Sequence, residues 1–387
     1  MATYNEQIRD NMVRHQTYLL RYAGSVRNTS TALLSDTERR IRLVVLDYAD
    51  RLQSLNKLSK KARDLVKEMQ AEIVAIRSEA WDQIKDVAVE EFGEYAKLEG
   101  AASIRVIESP FPFALGLQPL PAQQLALIAN AMPFEGRTLK EWLNRTEDID
   151  VDRIVRNAKI GIMQGETPTQ VARRVFGTEA MRGKDGMTRK AFKDLESVYL
   201  TVTNGINNEV KAQLYAANDD IIERELFVAT LDIRTTLECA GNDGKVFKLG
   251  KAPKPPLHFR CRSLLVPYIN PEALFKRGYD ASFDKMTLKE FAKNNNLGKI
   301  STVDDLPRGY KTAYTTWKRG RVRELVGQVP AKTTFNEWLK TQSNEFQDEY
   351  LGKGKAEIFR QGKLSLDKFV TRDGQELTIE QLYKLAS

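Results

Sequence analysis

Residues 229–267 constrain this chain most, because they interrupt a sequence that otherwise has the spacing of helices. The segment contains both cysteines, Cys239 and Cys261, and one of only two histidines, His258. Proline fixes φ and cannot continue a helix, so a proline-rich stretch ahead of His258 is expected to be extended and non-helical. Its prolines are Pro253, Pro255 and Pro256.

Short apolar runs around this segment predict strands. Residues 226–231 have the composition of a short strand, and Val246 and Phe247 resume an apolar strand after a polar interval. Asn242-Asp243-Gly244 is a turn signal, because these residues tolerate positive φ. The sequence therefore predicts a β-hairpin with Cys239 just before it.

A metal site is one interpretation of Cys239, His258 and Cys261. Zinc favours cysteine and histidine ligands in a tetrahedron, and Asp232, Glu238 or a water could provide the fourth ligand. The pattern is incomplete, since a full zinc site usually shows four cysteines or histidines in two close pairs.

Other interpretations of the same three residues stay open. Cys239 and Cys261 could form a disulfide, although cytosolic thiols stay reduced. Alternatively, both cysteines are buried as small apolar residues and His258 is a hydrogen-bonded clamp. A catalytic Cys–His pair is disfavoured, because nothing nearby resembles an orienting asparagine with an oxyanion hole.

The segment also carries a spaced pattern that resembles a known family. The pattern is Asp232-x-Arg234-Thr235-Thr236-x-x-Cys239, then Asp243-Gly244-Lys245-Val246-Phe247, then Pro256-x-His258-x-x-Cys261-Arg262. It resembles the phage Mu F-like family of minor head proteins, also called head morphogenesis or minihead proteins. Members commonly end the motif with His-x-x-Cys-Arg-Cys, whereas this chain has Ser263 in the last position.

Two further stretches resemble the same family, in the same order along the chain. The C-terminal one consists of Thr334-Phe335-x-x-Trp338-Leu339-x-x-Gln342, Gln347-x-x-Tyr350-Leu351-Gly352, Gly362-Lys363-Leu364 and Leu377-Thr378. The third is Gly161-Ile162-x-x-Gly165-Glu166-Thr167-Pro168. Together these matches cover about residues 150 to 387 and leave the first hundred residues unmatched.

The resemblance implies a non-enzymatic role in phage head morphogenesis. It implies a virion protein at the portal vertex or capsid interior, with the portal protein, the major capsid protein and packaged DNA as partners. A part in DNA packaging or ejection is also implied. The alternative functions are a metal-dependent nucleic-acid-processing enzyme and an effector delivered with the DNA. The sequence has no phosphate-binding glycine loop and no nucleophile elbow.

Composition limits the location of the chain and points to an anionic partner. No apolar run is long enough to span a bilayer, and no secretion signal opens the sequence, so synthesis in a cytoplasm is expected. Residues 245–323 hold eighteen Lys or Arg and six Asp or Glu, a net charge of +12 in a chain of +8. Such asymmetry fits DNA, although a solvated surface explains it equally well. The tightest cluster comprises Lys318, Arg319, Arg321 and Arg323, near Tyr310, Tyr314 and Trp317.

Helical spacing dominates the first hundred residues. A first helix with a partly buried His15 is expected to end at residues 24–31, and the capping-box sequence from Ser35 to Glu38 to begin a second. A third helix is expected from about 59 to 97, ending near Gly100. An antiparallel pair or a three-helix bundle follows, which we interpret as an assembly module spanning residues 1–108.

The remainder predicts a mostly α chain of the α+β class. Residues 109–268 are interpreted as the Mu F-like core, with a helix at 188–218 that packs on the cysteine segment, as the resemblance suggests. A helix is also expected from Val151 to Met163, and Thr167-Pro168-x-Gln170 is expected to cap the next one. Asn204, Asn207 and Asn208 of that helix are expected to be exposed. Residues 269–387 are interpreted as a basic segment followed by helices, including one at 334–350 and a turn at Asp373-Gly374.

Overall fold

Helices make up most of the structure, which confirms the predicted α+β, mostly α class. The computed structural model describes residues 2–56, 59–327, 334–371 and 375–386. Within these ranges the chain forms fourteen α-helices and one three-stranded sheet. None of the helices in the described ranges combines the length and apolar character needed to cross a membrane.

Two long helices form the N-terminal part. Helix α1, Tyr4–Gln53, and helix α2, Lys60–Glu108, run antiparallel, so that the start of one meets the end of the other. Tyr22 donates a hydrogen bond to the Glu91 carbonyl at 2.7 Å. The predicted partly buried position of His15 is confirmed, since its Nε2 lies 2.7 Å from Glu99 Oε2.

The predicted break in α1 is wrong. The Ser35 hydroxyl donates to the Thr31 carbonyl at 2.9 Å, and the Thr37 hydroxyl to the Leu34 carbonyl at 2.8 Å. Side chains that bond back to the preceding turn sit inside a helix rather than capping a new one. Buried Val26 and Leu34 also continue the apolar stripe through the predicted break.

The third predicted helix begins where expected but ends later. Ser59 caps α2 by accepting from the Ala62 N–H at 3.1 Å. Gly100, predicted to mark the end, lies where an added Cβ would come within 3.1 Å of the Leu125 side chain. This glycine lets the next helix approach α2 closely. It does not end α2, which continues to Glu108.

Four helices follow residues 109–121, a connection that contains Pro110, Pro112, Pro119 and Pro121. They are α3 Ala122–Ala131, α4 Leu139–Met163, α5 Pro168–Phe176 and α6 Arg189–Ala216. The predicted cap at Thr167 is confirmed, because its hydroxyl accepts from Gln170 N–H and the Gln170 side chain bonds back. The helix expected from residue 151 is the second half of α4, whose own capping box is Thr138 with Glu141.

The sheet has the order β2-β1-β3, with both pairs antiparallel. Its strands are β1 Ile222–Val228, β2 Val246–Lys248 and β3 Leu264–Ile269. The predicted antiparallel pairing of the strands is confirmed, and Gly244 has the expected positive φ, 75°. Cys239, expected just before the hairpin, instead lies between its two strands. The connection between β1 and β2 contains a short helix, α7 Leu237–Asn242, that the sequence analysis missed.

Seven helices complete the chain. They are α8 Pro271–Lys276, α9 Asp280–Asn294, α10 Arg308–Val326, α11 Phe335–Lys340, α12 Asn344–Leu351, α13 Lys353–Arg360 and α14 Ile379–Ala386. The single helix predicted at 334–350 is wrong, because Ser343 caps a new helix by accepting from the Phe346 N–H. The turn predicted at Asp373-Gly374 lies outside the described residues.

One apolar core crosses the predicted domain boundaries. It joins Ile8 and Ile107 of the long helices to Leu226 and Val266 of the sheet and Val322 of α10. The core therefore holds the end of the helical pair against the sheet and the basic segment. That residues 1–108, 109–268 and 269–387 are units that fold independently stays a prediction.

A buried ion pair ties the long helices to α4. Arg77 and Asp150 are both fully buried, and Arg77 Nε lies 2.7 Å from Asp150 Oδ2. Arg77 also donates to the Leu34 carbonyl at 2.7 Å, and Trp81 Nε1 donates to Asp150 at 3.1 Å. Removing one partner of such a pair leaves the other charge buried without a counterion.

Asp150→Ala should lower the free energy of unfolding by about 3–5 kcal/mol, because Arg77 would stay buried without its carboxylate. Chemical denaturation would measure the change. Asp152→Ala is the matched control on the same helix, since Asp152 is 58% exposed in its pair with Arg156 and should cost under about 1 kcal/mol. Equal decreases in both variants would contradict this account.

Candidate metal centre

Three soft side chains from distant positions converge beside the sheet. Cys239 Sγ lies 3.4 Å from His258 Nε2 and 3.8 Å from Cys261 Sγ. The three candidate donor atoms all lie within 4.8 Å of one another, and both cysteines are buried. This group could bind a metal ion.

The distances also bear on the other interpretations of the cysteines. A disulfide needs the two sulfurs at about 2.05 Å. At 3.8 Å, Cys239 and Cys261 are free thiols in this structure. In the clamp interpretation both cysteines are buried beside a hydrogen-bonded histidine. The same geometry fits that interpretation when no metal is bound.

The short helix α7 positions Cys239. Thr236 caps this helix, because its hydroxyl accepts from the Cys239 N–H at 3.4 Å. The cap fixes the first turn, so the Cys239 side chain starts from a rigid backbone. Burial of Leu237 and Ala240 on the same helix holds it against the rest of the protein.

A tight turn positions His258 and Cys261. The Cys261 N–H donates to the His258 carbonyl at 3.1 Å. Arg260 between them has a φ of 61°, a left-handed conformation uncommon for a residue with a side chain. Its N–H donates to the Thr201 hydroxyl at 2.9 Å, so helix α6 holds the turn in place.

The second nitrogen of His258 fixes the orientation of its ring. His258 Nδ1 lies 2.9 Å from the Phe259 carbonyl oxygen, which can only accept a hydrogen bond. Nδ1 therefore carries the hydrogen, and Nε2 is directed at Cys239, where it offers a lone pair when the ring is neutral. Metal-binding histidines commonly make this backbone hydrogen bond through their other nitrogen.

The electrostatics of the group favour a thiolate. The hydrogen bond from Cys239 lowers the pKa of Cys261 below its usual range against the opposing effect of burial, and His258 lowers it further. The same contact raises the pKa of Cys239. Burial lowers the pKa of His258, but the Cys261 sulfur outweighs this effect and the pKa is raised overall. A thiolate is the form of cysteine that binds metals.

Asp232, a predicted fourth ligand, is not brought into the group. Its two carboxylate oxygens accept from the Arg262 guanidinium at 2.5 and 2.6 Å. The hydrogen bond from Arg262 holds the pKa of Asp232 at about 2. Asp232 therefore closes the segment by an ion pair beside the cysteines, and its oxygens are already used.

The space next to the group is very small. A cavity of about 10 Å³ is lined by residues that include Cys239, His258 and Ser263. This volume is on the order of that needed for one water molecule. Ser263 therefore lies at the edge of the candidate site.

The asparagines of helix α6 are buried, so the prediction that they are exposed is wrong. Asn208 Oδ1 accepts from the Leu265 N–H at 3.2 Å, and Asn204 Nδ2 donates to the Ser263 carbonyl at 3.2 Å. These bonds satisfy backbone groups at the start of β3, directly after Cys261. The predicted packing of this helix on the cysteine segment is confirmed.

Asp243 joins the segment that contains Cys239 and Cys261 to the C-terminal helices. Its Oδ1 accepts from the Ala229 N–H at 2.7 Å, and its Oδ2 accepts from the Phe335 N–H at 2.6 Å. Burial raises the pKa of Asp243 to about 6, although both hydrogen bonds oppose this shift. One side chain thus bridges the end of β1 and the start of α11.

Further contacts attach the C-terminal helices to α7. Tyr350 donates to the Thr235 carbonyl at 2.7 Å. Gly241 approaches Asp367 so closely that an added Cβ would lie 3.1 Å from its Cα. Leu237 and Ala240 belong to the same apolar core as the buried residues of α11 to α13. The helix that carries Cys239 is therefore also the platform for this part of the chain.

The structure places the predicted DNA-binding residues on α10, mostly in ion pairs. Lys318 is buried, and its Nζ lies 3.0 Å from Asp280 and 2.8 Å from Asp284. Arg321 pairs with Glu290 and Glu324, and Arg323 with Glu272. Arg319 is exposed, with its guanidinium 5.9 Å from the centre of the Phe275 ring.

The neighbouring aromatic residues are used in packing. Tyr314, Tyr310 and Trp317 surround Phe291 of α9 in a small apolar core. Tyr314 is fully buried and donates to Asp284 at 2.8 Å. These rings therefore join α9 to α10 in a small core.

Comparison with known proteins identifies no relative. No family model matches the chain, and neither a curated protein nor a solved structure matches it.

The ion pair of Asp232 predicts a specific pH dependence. A carboxyl group with a lowered pKa in the folded state stabilises the fold above its unfolded pKa of about 3.9 and loses this contribution as pH falls towards 2. The variant Arg262→Gln should therefore have a lower free energy of unfolding than wild type at pH 4. This difference should become smaller as the pH falls to 2, and denaturation across that range would measure it. Arg234→Gln, at an exposed single contact of 3.3 Å, is the control and should change little. A deficit of Arg262→Gln that is constant with pH would contradict the assignment.

Proposed function

We propose that this chain is a phage minor head protein of the Mu F-like kind, acting in head morphogenesis. The observation that carries the proposal is the contact between two segments that resemble the family independently. Asp243 of the first segment binds the Phe335 N–H of the second, and Tyr350 of the second binds the Thr235 carbonyl of the first. Residues singled out by the resemblance therefore belong to one structural unit.

The motif residues of the first segment also have physical roles that fit a common architecture. Asp232 and Arg262 close the segment by a bidentate ion pair, and Thr236 caps the helix that carries Cys239. The proposal is supported by these roles, because an ion pair, a helix cap and a donor group are features that a motif can encode.

The metal we propose is zinc. Two sulfurs bound to zinc at about 2.3 Å in a tetrahedron lie about 3.8 Å apart, and a sulfur and a nitrogen about 3.6 Å. The distances here are 3.8 Å between the sulfurs and 3.4 Å from Cys239 to His258. The His258 ring also presents a lone pair to the group, as a zinc ligand must. Zinc bound there would fasten the segment.

We assign the zinc a structural role. A catalytic zinc needs an open position that substrate can reach. Here both cysteines are about 1% exposed, and the adjacent cavity of about 10 Å³ has room for a water molecule at most. With Asp232 held by Arg262, water is our choice for the fourth ligand, and that water would be enclosed in a cavity too small to admit a substrate. This supports assembly, rather than nucleic-acid processing, as the function.

The long helical pair fits an assembly role. Helix α1 has 50 residues and is therefore about 75 Å long. It and α2 expose large apolar side chains, including Leu43 at 61% and Leu98 at 57%. We propose that this pair contacts the portal or the major capsid protein, and that the basic segment faces packaged DNA inside the virion.

Zinc binding can be measured directly. Protein purified in the presence of zinc should contain one zinc per chain by native mass spectrometry. Cys239→Ser, Cys261→Ser and His258→Ala should each lose most of the metal, because three protein ligands cannot be reduced to two without a large decrease in affinity. His15→Ala, at the other histidine of the chain, which pairs with Glu99 away from the group, is the control that should retain it. Wild-type protein without zinc would refute the metal assignment.

The head assignment can be tested in particles. Quantitative mass spectrometry of purified virions should find the chain at a few copies per particle. Loss of the protein when DNA is ejected would identify it as a delivered internal protein, and retention as a fixed head component. Absence from both virions and proheads would refute the proposed function.

A further inference from the structure

The basic residues of residues 245–323 fall into two groups in the structure. Many of them, including Lys318, Arg321 and Arg323, already pair with carboxylates. Their charges are largely neutralised, so they are poorly suited to bind phosphates. An anionic partner would be attracted to lysines that have no such neighbour.

Helix α9 presents a row of such lysines. Lys285, Lys289 and Lys293 are exposed and recur every four residues along Asp280–Asn294. In the described part of the chain, none of the three forms an ion pair with a carboxylate. Four residues correspond to about 6 Å of helix, so the three charges form a row about 12 Å long.

The acidic residues of α9 are directed elsewhere. Asp280 and Asp284 pair with Lys318, and Glu290 pairs with Arg321, both on α10. The lysine row is therefore not compensated by the carboxylates of its own helix. Lys318, predicted as a DNA ligand, instead neutralises the acids behind the row.

Helix α9 is also held firmly. Thr287 and Tyr314 share a hydrogen bond of 2.9 Å, and the Phe291 ring packs 5.3 Å from the Trp317 ring, centre to centre. A rigid helix presents its charges at a fixed spacing, which lowers the entropic cost of binding a partner.

We propose that the lysine row of α9 is the surface of this chain that contacts the phosphates of duplex DNA. The partner is inferred from charge: DNA carries one negative charge per about 1.7 Å of its axis, and lysine rows bind it without reading its sequence. The inference rests on the proposed function for its biological setting. It moves the predicted DNA contact from residues 318–323 to α9.

The test is the salt dependence of binding to a labelled DNA duplex of random sequence, followed by fluorescence anisotropy. Each lysine that no longer neutralises a phosphate reduces the magnitude of the slope of log affinity against log salt by about 0.9. The triple variant Lys285→Gln, Lys289→Gln, Lys293→Gln should therefore reduce the magnitude of this slope by about 3, equally for DNA duplexes of different sequence.

Two controls make the result specific. The triple variant Lys60→Gln, Lys61→Gln, Lys67→Gln removes the same charge from exposed positions on α2 and should leave the slope unchanged. Arg323→Gln, on α10, should reduce the magnitude of the slope by less than about 0.9, the value for one phosphate. Circular dichroism would verify that each variant is folded.

Three outcomes would overturn the inference: no DNA binding by the wild type, an unchanged slope in the α9 variant, or an equal fall in the α2 variant. The first would point to an acidic protein surface as the partner. These outcomes are independent of the virion measurement. A chain found in virions whose α9 variant binds DNA normally would retain the proposed function, and only this surface would be rejected.

Discussion

The convergence of Cys239, His258 and Cys261 holds together a segment with little regular structure of its own. Between β1 and β3 the chain has only a six-residue helix and a three-residue strand. Burial of the donor group gives these pieces a common centre. Strand β3 begins directly after Cys261 and binds α6, while α7 carries Cys239 and supports the C-terminal helices. Contacts on both sides of the molecule therefore depend on one small group.

Buried polar side chains extend this arrangement outwards. Asn208 forms hydrogen bonds with the Ser263 carbonyl and the Leu265 N–H at the start of β3. Asp243 bridges β1 to α11. Asp232 fixes Arg262 beside the donor group. Each of these side chains satisfies backbone or charged groups that would otherwise be buried without partners, a condition that costs roughly 1–3 kcal/mol per group. They make the position of the segment specific as well as stable.

The sequence predicted those features that depend on local spacing and turn chemistry. The class, the hairpin pairing, the cap at Thr167 and the long helix α6 follow from periodicity and from residues with strong backbone preferences. The break in α1 and the exposure of the α6 asparagines were wrong, because Ser35 and Asn208 find their partners through packing. A polar residue in an apolar stripe can be either exposed or bonded inside, and sequence spacing alone does not distinguish the two. For the same reason, the pairing of Lys318 was not predictable.

The central claim is that a metal at Cys239, His258 and Cys261 supports the docking of the C-terminal helices through α7. Hydrogen exchange of the zinc-loaded protein, compared with protein stripped by a chelator, tests it most directly. The account predicts that α7, α11, α12 and α13 lose protection together when zinc is removed, while the middle of the α1–α2 pair keeps its protection. Unchanged protection of α11 to α13 without zinc would contradict the claim.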